Sequence, residues 1–173
     1  MFDTSKLWQI LQSFTKYECI IGGGDLPANF DKGALIITLI NSQTLTQSVK
    51  DFFTLQGKQD DFNITAQTLI RNNYQIDLYR VNPINAPYVD VEIESQKVRE
   101  YLKSYEVQEY LKDLNASILP AISTIQYVTD FNEQKKLINR AFFEVSIVYN
   151  FEALQKVEKL DKITLNGNLI IGG

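Results

Sequence analysis

The chain has 173 residues, a 45% hydrophobic and 12% aromatic content and a formal charge of -4, enough apolar material for a packed core and no basic excess to drive binding to nucleic acid. It contains no histidine, which removes the commonest general base and the commonest metal ligand, and a single cysteine, Cys19, which excludes an intrachain disulfide. The start, "MFDTSKLWQILQSF", lacks the basic-then-apolar pattern of a secretory signal, and no segment is apolar enough over sufficient length to span a bilayer, so the expectation is a soluble protein made in a reducing cytoplasm.

Residues 4 to 14 carry Leu7, Ile10, Leu11 and Phe14 at helical spacing, with Asp3 or Thr4 available as the cap. Cys19 follows in "YECIIGG", an apolar setting that favours a buried, inert thiol over a nucleophile. Without histidine no Cys-His pair can form. "GGGDLPANFDKG" then breaks the pattern as a loop. It lacks the lysine and following hydroxyl of a P-loop, and no helix clearly opens after the glycines as a dinucleotide site requires. "GALIITLI", residues 33 to 40, has the length of a short strand, and "SVKDFFTLQ" reads as another. In the polar turn "GKQDDFN", Asp60, Asp61 and Asn63 suggest calcium. Counting from Asp61, however, places Ala66 and Asn72 where an EF-hand needs glycine and glutamate.

"NITAQTLIRNNYQIDLYRV" alternates over its whole length. Ile64, Ala66, Thr68, Ile70, Asn72, Tyr74, Ile76 and Leu78 share one face, which predicts a long strand that starts outside the main sheet or runs through it. Pro83 and Pro87 mark a turn. A helix follows over residues 88 to 103, with Asp90, Glu92 and Glu94 first and Lys97, Arg99 and Lys103 last, the order that complements a helix dipole. "VQEYLKDL" makes a short helix that Pro120 closes off, "AISTIQYV" a strand and "TDFNEQKK" a loop.

The most informative stretch is "LINRAFFEVSIVYN", residues 137 to 150. Extended, it points Ala141, Phe143, Val145, Ile147 and Tyr149 to one side. Asp77 and Glu144 fall on strands and in an enzyme would face one cleft, but a cross-strand polar pair with Arg71 or Arg140 is the simpler expectation. Near the end, Asn166-Gly167 between two apolar runs signals a two-residue hairpin over residues 162 to 171. No repeat or linker appears. The expected fold is one α+β domain over residues 1 to 173. It has a largely antiparallel sheet built on 34–40, 73–80, 121–128 and 139–150, two or three flanking helices and an extended hairpin.

The strand "IDLY" leading into a turn and helix, followed by "RAFFEVSIVY", resembles the tail terminator or neck proteins of tailed bacteriophages over roughly residues 5 to 150. The matching positions are Ile76, Asp77, Leu78 and Tyr79, then Arg140, Phe142, Phe143, Val145, Ile147 and Tyr149. The resemblance implies a structural virion subunit made in the host cytoplasm and placed in the neck. It implies a ring, usually a hexamer, that caps the tail tube and meets the head connector while DNA passes through the lumen without specific binding. It implies no catalytic residue, metal, cofactor or membrane. Lys58, Asp60 and Asp61 are then the candidate subunit-contact loop. Another tail-tube completion or baseplate component, or a protein-binding module outside phage, is the alternative.

Overall fold

A computed structural model describes residues 2–22, 33–52, 62–82, 91–131 and 137–157. In chain order the elements are α1 (Thr4–Phe14), β1 (Glu18–Ile21), β2 (Ala34–Phe52), β3 (Phe62–Asn82), α2 (Val91–Leu102), α3 (Tyr105–Asp113), β4 (Ala116–Ile118), β5 (Gln126–Phe131) and β6 (Leu137–Val157). The strands form one sheet in the order β1-β2-β3-β6-β4, with β5 also paired to β6. Only β1 and β2 run parallel; the other pairings are antiparallel. The fold is α+β, as the element pattern implied.

Helix α1 begins where Asp3 accepts the Lys6 N–H and ends where the Thr15 N–H bonds Leu11. The Ser5 hydroxyl and then the Lys6 N–H hold the Asp3 carboxyl below the usual carboxylate range. Asp3→Ala should therefore cost about 0.5–1 kcal/mol near neutral pH, the lower part of the range for a lost cap because the site is exposed. A lowered folded-state pKa makes this contribution complete above the unfolded carboxylate pKa. It fades as pH falls through the lowered folded value, so the wild-type and variant melting curves should converge in acid. A constant difference down to the lowest pH would show that the carboxylate does not supply the cap.

The helical layer covers one face of the sheet. Leu7, Ile10 and Leu11 of α1, Val91, Val98 and Leu102 of α2, and Val107 and Leu111 of α3 are buried there. They meet Leu35 and Ile37 of β2, Tyr74, Ile76 and Leu78 of β3, and Ala141, Phe143, Val145, Ile147 and Tyr149 of β6. The period-two alternation thus put the correct side chains on the buried face. Phe2 closes one end of this layer against the rings of Tyr74 and Tyr149. The Tyr74 hydroxyl, which cannot be left unpaired at that depth, accepts from Asn72 Nδ2 at 3.0 Å and lies 3.3 Å from Thr4 Oγ1. At the entry to β2, Gly33 has φ of +84°, and a Cβ there would sit 3.0 Å from the Tyr17 ring and 3.1 Å from the Tyr79 carbonyl. Both the backbone angle and the close approach exclude a side chain.

Several boundaries differ from the sequence expectation. The short strand at 33–40 and the separate strand after residue 48 are one element, Ala34–Phe52. Its polar middle stays extended because β3 pairs with it throughout, and two register shifts, at Leu39/Asn41 and Thr44/Thr46, absorb the irregular pattern. The strand expected at 121–128 starts only at Gln126 and runs on to Phe131, into the stretch read as loop. Residues 119 to 123 still bond β6, the Leu119 N–H to the Ser146 carbonyl and the Ser123 N–H to the Glu144 carbonyl. Strands β1 and β4, four and three residues long, were not anticipated, because so few residues carry no readable period. The helix expected at 88–103 is α2, Val91–Leu102, with the preceding turn and Asp90 outside the described residues. The C-terminal hairpin expected at 162–171 also lies outside them.

Candidate assembly interface

Strands β3 and β6 are each 21 residues long and β2 is 19. At roughly 3.3 Å per residue, β3 spans about 70 Å. Among the side chains described, the fully buried ones on β3 run from Asn72 to Val81 with Ile70 packed against them, and residues 62 to 71 continue the strand for about another 33 Å at that same rise. There they pair without a break with β2 on one side and β6 on the other, through Phe52↔Asn63 and Phe62↔Val157. The result is a three-stranded arm projecting past the described helices.

The face of the sheet turned away from the helices is tied by polar side chains. Asn73 Nδ2 donates to Asn41 Oδ1 at 2.6 Å, and Ser146 Oγ donates to Asn73 Oδ1 at 2.5 Å. Arg71 Nη2 donates to Gln43 Oε1 at 2.8 Å, and Gln67 Nε2 donates to Glu152 Oε1 at 2.5 Å. Nearer the helical end, Asp77 is 3% exposed and accepts from Arg140 through Nε at 2.8 Å and Nη2 at 2.6 Å. Gln75 Nε2 donates to both of its oxygens. The Arg140 guanidinium also lies over the rings of Phe142 at 4.5 Å and Tyr79 at 5.3 Å. Asp77 is thus the acceptor in a cross-strand ion pair, as the simpler expectation had it. Glu144 is exposed and its backbone N–H takes the Ser123 hydroxyl oxygen.

The helical layer presents aromatic side chains outward. Phe14 and Tyr101 stack with centroids 3.9 Å apart, and Tyr105 is 79% exposed. A shallow groove of about 230 Å³ runs between Ile10, Ser13, Tyr101, Val107 and Tyr110. Cys19 is buried, and desolvation pushes its thiol up to about 12, which leaves almost no thiolate at neutral pH. Among the described residues no three His, Cys, Asp or Glu side chains gather as a metal-ion ligand set. The contact-loop candidates Lys58, Asp60 and Asp61 lie outside the described residues, between β2 and β3 in the chain.

A long arm with cross-strand polar ties and, among the described residues, no metal-ligand cluster is the build of an assembly part, and the chain matches the phage neck terminator protein family over residues 5–173. It belongs to that family. The match extends the resemblance noted at 5 to 150 through the C-terminal residues. No curated protein is significantly similar to the chain. Membership makes this neck terminator a structural protein of the bacteriophage neck that works with other head and tail proteins. Among the described residues no helix is long and apolar enough to cross a membrane. The arm escaped the sequence reading because Asn41 to Gln47 on β2, polar but for Leu45, carry no strand period to link the two short strands expected on either side. The usable signal was the unbroken alternation of β3, which needs a partner of matching length.

Proposed function

We infer that this neck terminator forms a ring, a hexamer by the resemblance to tail terminators, that caps the tail tube, stops its growth and joins it to the head connector. The three-stranded arm carries the reading. It leaves the helical core, pairs β3 on both sides and presents β2 and β6 as its outer strands to neighbouring subunits. In the ring the helix-free face of the sheet turns to the lumen. Its amides and hydroxyls at Asn41, Gln43, Asn73 and Ser146 are already engaged with one another, and Arg71 is engaged by Gln43. A polyanion meets few unengaged cations on such a face, and the chain's net charge of -4 further discourages condensation on the wall. DNA thus passes by confinement rather than affinity. The segment holding Lys58, Asp60 and Asp61, which joins β2 to β3 in the chain, serves as a contact with a neighbour or the tube.

Deletion of this subunit from its phage tests the reading. Electron microscopy of lysates should show over-long tubes, or full heads and finished tails that do not join. Normal-length tails joined to full heads would rule it out.

A further inference from the structure

Strand β2 carries more residues than its neighbours at the point where the arm leaves the core. Leu39 pairs with Tyr74 and Thr46 with Leu69, so β2 advances seven residues where β3 advances five. Over the same rise β6 also advances five, from Val145 to Asn150. The two surplus residues are Ile40 and Leu45, one at each register shift, which is the count of a β-bulge. The β3–β6 register, by contrast, is unbroken from Phe62↔Val157 to Asn82↔Leu137. This level is the root of the arm. Phe2 closes the helical layer there against Tyr74 and Tyr149, and the buried side chains described on β3 begin at Asn72.

The two shifts act as a matched pair on side-chain direction. Leu35 and Ile37 lie opposite Leu78 and Ile76 and are buried under the helices. Strict alternation would send Asn41 and Gln43 the same way. The surplus Ile40 reverses the order. Asn41 then lies opposite Asn73 and Gln43 opposite Arg71, and their side-chain oxygens accept from those residues on the helix-free face. The surplus Leu45 restores the order, since Thr46 lies opposite Leu69 as Thr38 lies opposite Gln75. Ile40 and Leu45 themselves are 45% and 43% exposed. Neither fills the core, so what each adds is a residue of backbone.

An extra residue bends its strand and increases the local right-handed twist. Because β3 is paired to β2 on both sides of each shift, the bend passes to β3 and on to β6. Two such residues on one outer strand, with none in the β3–β6 pairing, turn the arm away from the line of the core strands.

We propose that the paired bulges at Ile40 and Leu45 set the direction of the arm relative to the helical body, and through it the number of subunits that closes the ring. The second part rests on the ring reading above. A head-to-tail ring closes only when the rotation from one subunit to the next closes, and that rotation follows from where the arm points.

The test deletes Ile40 and Leu45 together. Every described pair of β2 with β3 can then form in regular register, and no buried side chain is lost. Spin labels at Tyr105→Cys on α3 and Glu152→Cys on the arm, both exposed positions, report arm direction in the dilute subunit, and the buried Cys19 takes no label. The label distance in the double deletion should shift by several ångström. Native mass spectrometry, with and without tail tubes, should then show rings of a different subunit number or none. Ile40→Ala/Leu45→Ala keeps both bulges and should match wild type in distance and ring number. An unchanged distance in the deletion overturns the proposal, and a shifted distance with an unchanged ring number overturns the link to the ring. A changed ring number in the alanine variant overturns it as well, by assigning the effect to the side chains. A wild-type chain that forms no ring, alone or on tubes, overturns the ring reading and the subunit number with it, while the label distance still decides the arm direction. Should the double deletion not fold, each single deletion, which keeps one bulge, is judged by the same distance.

Discussion

Val145→Asp is expected to abolish the folded subunit. Val145 is 1% exposed at the middle of β6, the strand that pairs with β3 along its whole length, and it points into the helical layer beside Phe143 and Ile147. An ionised carboxylate there meets only apolar groups. A carboxylate without a partner at such a depth costs about 3–5 kcal/mol even after the structure relaxes. Escape by protonation still leaves a polar group without a hydrogen bond, at about 1–3 kcal/mol, on top of the lost valine contacts. A domain of ordinary stability has about 5–15 kcal/mol in all. Circular dichroism should show no cooperative melt, or one at far lower temperature, and the variant phage should show the assembly defect of the deletion. Val145→Ile, which keeps the apolar face, should melt near wild type. A cooperative Val145→Asp melt within a few degrees of wild type would mean that this face is not the core.

Arg140→Ala should be the most damaging single change on the other face of the sheet. It strands the Asp77 carboxylate, 3% exposed, with Gln75 as its remaining described side-chain partner. Breaking a buried pair from one side costs about 3–5 kcal/mol. The Arg140 side chain is 31% exposed and water can reach part of the site, so the lower end of that range, about 3 kcal/mol, is expected here. The variant also loses the guanidinium from over Phe142 and Tyr79. Removing both charges in Asp77→Leu/Arg140→Met should recover most of the stability, because an apolar pair of similar volume needs no compensation. Urea melts of the wild type, Arg140→Ala, Asp77→Leu and the double variant give the coupling. An Arg140→Ala melt equal to wild type would show that the pair is solvated rather than buried. A double variant no better than Arg140→Ala would assign the loss to packing rather than charge.

Those two changes act on opposite faces of β6, and the faces were legible to different degrees. The alternation from Ala141 to Tyr149 identified the core face because period two leaves a strand with one dry side little choice. The same period placed Tyr74, Ile76 and Leu78 inward. The Asp77–Arg140 pair was anticipated only as one of several possible partners, since Arg71 stood equally available in the sequence; in the structure Arg71 bonds Gln43 instead. That choice depends on strand register, with Tyr79 opposite Arg140 and Asp77 opposite Phe142, which makes the ion pair diagonal.

The sequence by itself determined the α+β class, an α1 cap at Asp3 or Thr4, the buried inert cysteine and the family. Each of these rests on local pattern, on composition or on a motif that survives without coordinates. The tertiary structure decided that β2 does not stop at residue 40 and that α1 caps the β1 edge. The physical reason is that an edge is defined by which backbone groups lack a neighbour, and neighbours come from residues distant in the chain. Polar residues such as Asn41 to Gln47 carry no period that could show it. Pairing with β3 holds them extended and joins the two short strands expected from the sequence into one.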